Sequence, residues 1–133
     1  MISDFINKLG WKLVEKYPYK ARYIAAPDKH IRFYLKRNGT LPGVFLHKYL
    51  EPSSLAHNQP WSWCANLVLS GFLRTKEGYT KRRRGIGSAW VANCKEFVQL
   101  IDVGEHAWVL VIAGHEVQGW GYKDSNGYYK AAE

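Results

Sequence analysis

Short runs rich in β-branched and aromatic residues recur from residue 21 onward, and turn-forming residues separate them. This spacing is typical of an all-β sandwich or barrel, because each run is long enough for one strand and each Gly, Pro, Asn or Asp allows the backbone to reverse. The pattern predicts strands over Ala21–Ala25, Ile31–Lys36, Val44–Leu50, Trp63–Ser70, Phe72–Lys76, Gly87–Val91, Phe97–Asp102, Ala107–Ala113 and Val117–Tyr122.

The first twenty residues have a different pattern. A helix is predicted from about Asp4 to Lys16, with Ser3 as its N-cap and Pro18 ending it. One apolar face of this helix is approximated by Phe5, Ile6, Leu9, Trp11 and Leu13. A chain of 133 residues suits one domain, so we expect a helix and linker over 1–20 and a β-barrel over 21–129.

Charge and composition limit the class of partner and the cellular compartment that we expect. The formal charge of +8 is compatible with an acidic partner such as nucleic acid, an anionic membrane surface or an acidic protein. The sequence contains no apolar run long enough to span a bilayer and no signal-peptide pattern, so we expect a cytoplasmic protein that does not insert in a membrane. Cys64 and Cys94 lack a metal-type spacing and are predicted to be buried thiols.

The most specific motif is His57-Asn58-Gln59-Pro60-Trp61, which follows the run Val44–Leu50 and precedes Leu67–Gly71. Ala107–Gly114, Gly119–Tyr122 and Gly127-Tyr128 come later in the same order. Together, over roughly residues 44–129, these segments resemble a group of small cupin-like proteins common in bacteriophage and prophage genomes. The resemblance implies a cupin-like jelly-roll barrel.

The metal ligands of that group are mostly missing from this chain. The group's first motif reads His-x-His-Pro-Trp, within the wider cupin pattern Gly-x5-His-x-His-x3,4-Glu-x6-Gly. The resemblance places His57 on the first ligand, Gln59 on the second, Cys64 on the glutamate, Gly71 on the closing glycine and Val98 near the histidine of the second motif. It therefore implies a degenerate metal site, and we expect no cofactor.

A displaced metal site from His47, His57 and Cys64 is the alternative, if the strand of His47 neighbours the strand that begins near His57. The competing interpretation is that both histidines are hydrogen-bonded locally. His30, His106 and His115 fall in or beside turns and are expected to be exposed.

A pocket is predicted around the motif. Trp61 and Trp63 are two positions apart, so on a regular strand both would point to one face, near the lost metal. They would form either the floor of a small-molecule pocket or a plug that fills it, whereas Trp108 and Trp120 are expected in the core. The predicted pocket residues are His47, His57, Gln59, Trp61, Trp63 and Cys64.

A basic run, Lys81-Arg82-Arg83-Arg84, is the conspicuous charged feature. Consecutive cations repel one another, so the run is predicted to be a solvated loop, joined by Arg74, Lys76 and Tyr79. These residues would bind phosphates and stack on a base, or would form a soluble loop without a ligand.

No catalytic residues are predicted, because Cys64 and His57 lack a third, orienting group and the acidic residues form no obvious pair. The leading hypothesis is a non-catalytic phage or prophage accessory protein that binds a host protein or nucleic acid through the basic loop, for instance to counter a host defence system. The alternative is a cupin-type small-molecule enzyme that uses either a displaced metal or the pocket alone. A homodimer formed by pairing of sheet edges is a third interpretation.

Overall fold

The computed structural model describes residues 2–24, 29–36, 43–52, 56–57, 61–77, 80–92, 98–114, 121–123 and 129–131. The helix α1 (Ile2–Lys16) and a short 3-10 helix (Pro18–Lys20) come first. The strands are β1 (Ala21–Ile24), β2 (Lys29–Lys36), β3 (Gly43–Glu51), β4 (Ala56–His57), β5 (Cys64–Ser70), β6 (Leu73–Glu77), β7 (Thr80–Arg84), β8 (Ala89–Ala92), β9 (Val98–Val103), β10 (Trp108–Ala113), β11 (Gly121–Lys123) and β12 (Tyr129–Ala131). None of the helices in these ranges is long and apolar enough to cross a membrane.

The strands form two six-stranded sheets. The first sheet has the order β1-β2-β3-β10-β5-β8, and the second has the order β12-β11-β4-β9-β6-β7. Chain neighbours such as β3 and β4, or β5 and β6, lie in different sheets, as in a jelly roll. This confirms a mostly β fold with one N-terminal helix and a jelly-roll arrangement.

The predicted closed barrel is wrong for the described residues, because no strand of the first sheet is hydrogen-bonded to a strand of the second. Where the edge strands β7 and β8 come together, side chains make the contact. The guanidinium of Arg84 lies 4.3 Å above the ring of Trp90. The two sheets therefore pack as an open sandwich.

Apolar residues that face the space between the sheets form the core. On the first sheet, Val109 and Val111 of β10 alternate with outward residues and lie beside Phe45, and on the second sheet Leu73 and Leu100 face them. Each of these side chains is at most 4% exposed, and full burial of such a side chain stabilises the fold by roughly 1.5–3 kcal/mol. Cys64 also lies in this core, which confirms that it is a buried thiol, whereas Cys94 is outside the described residues.

The helix packs on the outer face of the first sheet, over Trp108. The indole Nε1–H donates to Asn7 Oδ1 at 2.9 Å, and the ring of Trp11 meets the indole edge-on with 6.0 Å between centroids. Gly10 is buried against the same ring. Ser3 Oγ accepts a hydrogen bond from the backbone N–H of Gly71 at 3.1 Å. These contacts attach α1 to the sheet.

The predicted apolar face of the helix is partly wrong. Phe5 and Leu9 are 65% and 48% exposed, and Ser3 lies within α1 instead of capping it. The face turned to the sheet carries Ser3, Asn7 and Gly10, spaced four and three residues apart on one side of a helix. Small and polar side chains are needed here because the large indole occupies the space.

The basic run forms a strand, so the prediction that it is a solvated loop is wrong. β7 (Thr80–Arg84) pairs along its whole length with β6 and forms an edge of the second sheet. Alternation in a strand places successive side chains on opposite faces, which separates the neighbouring cations more than a compact loop would. The other predicted strands are present with bounds that differ by up to two residues, except that only part of 117–122 lies in the described ranges.

We predict that Gly10→Ala destabilises the fold by about 1–3 kcal/mol, because an added Cβ would lie 2.5–2.7 Å from ring atoms of Trp108. In an exposed helix the same change stabilises by about 0.8–1 kcal/mol. Chemical denaturation measures the difference. Gly85→Ala is the matched control, since its Cβ would meet only the flexible Arg83 side chain. A stabilised Gly10→Ala variant would contradict the close packing of α1.

Lys48 offers a test of pH dependence. It is buried on β3, its Nζ donates to the carbonyl of Tyr49 at 3.4 Å, and desolvation lowers the pKa of its ammonium from the ordinary 10.5. Because the folded state disfavours the charged form, the cost is full below the folded-state pKa and is relieved as the pH rises toward 10.5.

We therefore predict that Lys48→Met raises the melting temperature at neutral pH and that this gain shrinks as the pH approaches 10.5. Lys29→Met is the control, because Lys29 is exposed and its pKa is raised by its hydrogen bond to Glu51. If the gain in melting temperature from Lys48→Met is constant with pH, the gain comes from packing and not from relief of desolvation.

Candidate functional site

Four polar side chains lie together on the inner face of β2 and β3. His47 and Tyr49 alternate with outward residues along β3, and the register pairs Arg32 with His47 and His30 with Tyr49. Residues directly opposite each other in an antiparallel pair share a face. We call His30, Arg32, His47 and Tyr49 the inner polar cluster.

Hydrogen bonds fix the protonation of His47. Arg32 Nε donates to His47 Nε2 at 3.0 Å, and His47 Nδ1 is 3.3 Å from the hydroxyl of Tyr49. A guanidinium only donates, so Nε2 must carry a lone pair and the ring proton must lie on Nδ1. His47 is therefore a neutral imidazole that donates to Tyr49, held in one orientation at both nitrogens.

His30 lies against this pair and is buried, so the prediction that it is exposed is wrong. Its ring centroid is 4.6 Å from that of His47 and 5.5 Å from that of Tyr49. The reason is that His30 is part of a strand and not of a turn, because β2 begins at Lys29 and carries His30 inward. His106 is partly exposed at the end of the β9–β10 turn, and His115 lies outside the described residues.

Aromatic rings surround the guanidinium of Arg32. The rings of Phe45 and Trp61 stack with 5.7 Å between centroids, and Arg32 Cζ lies 5.2 Å and 5.3 Å from them. No carboxylate among the described residues pairs with this half-buried cation. Arg22 is directly opposite it on β1 and is exposed. The cluster is therefore positively charged.

The predicted pocket is only partly assembled. His47 and Trp61 belong to this region, and Cys64 lies in the adjoining core, 3.7 Å from the amide nitrogen of Asn66. Trp63 is 38% exposed while Trp61 is 3% exposed, so the condition of a regular strand, on which the expected shared face depended, does not hold. The reason is that β5 begins only at Cys64, so no regular strand joins the two tryptophans. Gln59 lies outside the described residues.

The displaced metal site was expected only if the strand of His47 neighbours the strand that begins near His57, and this condition is not fulfilled. β3 and β4 lie in different sheets, so the strand of His47 does not neighbour the strand of His57. Val98 is directly opposite His57 in the β4–β9 pair, and valine has no ligating atom. Within the described ranges, no three His, Cys, Asp or Glu residues converge. The described side chains, which do not include that of His57, therefore supply no set of metal ligands, and the displaced metal site stays a prediction.

The basic residues divide between two faces of β6 and β7. Arg82 Nε is 3.1 Å from Glu77 Oε2 and Arg84 Nη2 is 3.5 Å from Glu77 Oε1, on the side that faces the core. The opposite side carries Arg74, Lys76, Lys81 and Arg83. Tyr79 lies outside the described residues. The six of these predicted binding residues that the structure describes therefore do not form one surface.

Three members of the inner polar cluster were not predicted, namely His30, Arg32 and Tyr49. A signal for them exists in the sequence. Polar or aromatic residues occupy every second position in His30-x-Arg32-x-Tyr34 and in Phe45-x-His47-x-Tyr49. Such a stripe on a strand marks one polar face. Only the pairing of the two strands shows that this face is turned inward.

The described tautomer gives a direct test. We predict that nitrogen-15 NMR finds His47 protonated on Nδ1 at neutral pH, and that Arg32→Met allows the Nε2–H tautomer to appear because the donor is removed. Arg22→Met is the matched control, since no described hydrogen bond joins Arg22 to His47. An Nε2–H tautomer in the unmodified protein would contradict the hydrogen bond from Arg32.

Comparison with known proteins gives the fold class. No protein family matches the sequence, and no curated protein is similar enough in sequence to match. Among solved structures, an uncharacterised Klebsiella pneumoniae protein with a double-stranded β-helix domain is similar with a TM-score of 0.58 and 14% identity, over 81% of this chain and 94% of that one. The nucleoside dehydratase Pac13 from Streptomyces has a TM-score of 0.58 and 9% identity, over 85% and 87%.

A third similar structure is a sugar phosphate isomerase of the cupin superfamily from Silicibacter pomeroyi, with a TM-score of 0.53 and 15% identity, over 77% of this chain and 76% of that one. The fold of the chain is therefore the cupin-like double-stranded β-helix. At these identities the likeness concerns the fold alone, since one fold supports many activities.

Proposed function

We propose that the protein binds a small organic anion at the inner polar cluster. The observation that carries this proposal is Arg32, a half-buried guanidinium that contacts two aromatic rings and a neutral histidine but no described carboxylate. A cation removed from water without an opposite charge is unfavourable. A carboxylate or phosphate on a ligand supplies that charge, and the exposed Arg22 beside it raises the local positive potential.

The hydrogen bonds of the cluster hold Arg32 in position for the bound ligand. His47 is held at both ring nitrogens, with Nε2 accepting from Arg32 and Nδ1 against Tyr49, so it orients the guanidinium and has no ring nitrogen left for the ligand. Arg32 keeps its Nη groups for the anion while Nε holds the imidazole, because a guanidinium has five donors. Tyr49 is within hydrogen-bond reach of the ring. Orientation of His47 therefore does not compete with ligand binding.

Similar structures support a small polar ligand. Two of them are named as enzymes that act on a nucleoside and on a sugar phosphate, and Pac13 variants have been solved with uridine. A small organic anion is the kind of ligand that the small-molecule alternative requires, and its binding at Arg32 needs no displaced metal. The expected phage origin and the role against a host defence system stay predictions.

Ligand binding is tested by calorimetric titration with uridine 5′-monophosphate, ribose 5-phosphate and uridine. We predict that the two phosphates bind and that uridine, which has no anionic group, binds more weakly. Arg32→Met should weaken phosphate binding by about 10- to 100-fold, as expected when a hydrogen bond to a charged group is removed. Lys12→Met is the control, since Lys12 is exposed on α1. Equal binding by the Arg32→Met protein, or no binding of either phosphate to the unmodified protein, would contradict the proposal.

A further inference from the structure

The outward side of β6 and β7 carries four cations in two directly opposite pairs. Arg74 is opposite Arg83, and Lys76 is opposite Lys81. Three of them are exposed and Lys76 is partly exposed. We call these four residues the outer basic face. It lies on the second sheet and faces away from the core, so it is separate from the inner polar cluster.

These pairs of like charges destabilise the folded protein when no ligand is bound. Like charges directly opposite each other destabilise a sheet, on a scale of about 0.2–1 kcal/mol for cross-strand pairs. Asp102 is opposite Arg74 on β9, but its Oδ1 accepts the backbone N–H of Val103 at 2.9 Å and no described ion pair joins it to Arg74. Glu77 pairs with cations of the other face. The outer basic face therefore stays uncompensated within the described chain.

Two of the guanidinium groups are held in place by an aromatic ring. Cζ of Arg83 lies 4.6 Å and Cζ of Arg74 lies 6.0 Å from the ring centroid of Phe72. A cation over a ring gains about 0.5–1 kcal/mol at an exposed site. Because these side chains are already ordered, less side-chain entropy is given up when they bind a ligand.

The spacing suits a ligand with repeated anionic groups. Alternate residues of a strand are about 6.6–6.8 Å apart along it, and paired strands are about 4.7–4.9 Å apart. The four cations therefore form a compact array on a sheet surface, with guanidinium forks that match phosphate oxygens. All four residues are cations, which favours contacts to phosphates that do not depend on the base sequence.

We propose that the outer basic face binds nucleic acid through its phosphate backbone, without sequence preference. A rival role for the same cations is to keep the edge strand β7 from pairing with another chain, since charged residues on edges oppose such pairing. The two roles differ in what removal of the charges changes. The first alters nucleic acid binding, and the second alters self-association alone.

The test compares two double variants by fluorescence anisotropy with labelled single-stranded and duplex DNA of about 20 nucleotides. Lys81→Gln/Arg83→Gln removes two cations of the outer basic face. Lys8→Gln/Lys12→Gln removes the same charge from exposed positions on α1. We expect the first variant to bind single strands at least tenfold more weakly in low salt, with a salt slope shallower by about 1.4, because each phosphate that a cation no longer neutralises reduces the slope by about 0.7. The α1 variant should retain most of the affinity and slope.

Other outcomes overturn the proposal. Equal weakening in both double variants would mean that net charge alone attracts the DNA. Unchanged binding with new self-association of the Lys81→Gln/Arg83→Gln protein in light scattering would assign the cations to edge protection. Binding to phosphatidylserine vesicles but not to DNA, abolished in the same variant, would assign them to a membrane. If the double variant melts early, single Lys81→Gln at an exposed position gives the same comparison against Lys8→Gln.

Discussion

The register between β2 and β3 determines which side chains enter the space between the sheets. Regular pairing from His30 to Tyr34 turns His30 and Arg32 inward with His47, while Phe33 and Lys48 point to the opposite face. A slip of one residue would exchange the two sets. Irregularities at both ends of the pairing, at Lys29/His30 and at Tyr34/Lys36, bound the regular segment. The candidate site exists only in this register.

The same alternation explains how a very basic chain folds. In β7 it sends Arg82 and Arg84 toward Glu77 and sends Lys81 and Arg83 to solvent. A consecutive run of cations is thus tolerated because half of it is paired with a carboxylate and half remains hydrated. In the first sheet, the same alternation separates a large aromatic residue from the smaller core residues. Trp108 points outward there and is covered by α1, which leaves the inward positions to Val109 and Val111.

The sequence predicts the strands well, because β propensity and turn residues are local signals, and the cupin-like jelly roll follows from ordered motifs. It fails where a distant partner decides the outcome. The run Lys81–Arg84 is a strand because it pairs with β6. Gly10, and not Leu9, lies on the buried face of α1 because the indole of Trp108 leaves no room for a larger side chain. For the site, His47 and Trp61 were predicted from the motif region. Arg32 and His30 were not, because pairing of β2 with β3 brings them to His47.

Comparison of Arg32 with Arg84 shows why the first is the better candidate for a ligand contact. Both are partly buried and both lie over a tryptophan ring, at 5.3 Å and 4.3 Å. Arg84 has Glu77 within 3.5 Å, so its charge is compensated inside the chain. Arg32 has the neutral imidazole of His47, which accepts one hydrogen bond but carries no negative charge. Burial of an uncompensated charge costs free energy. An anion that binds from solution would supply the missing negative charge at Arg32.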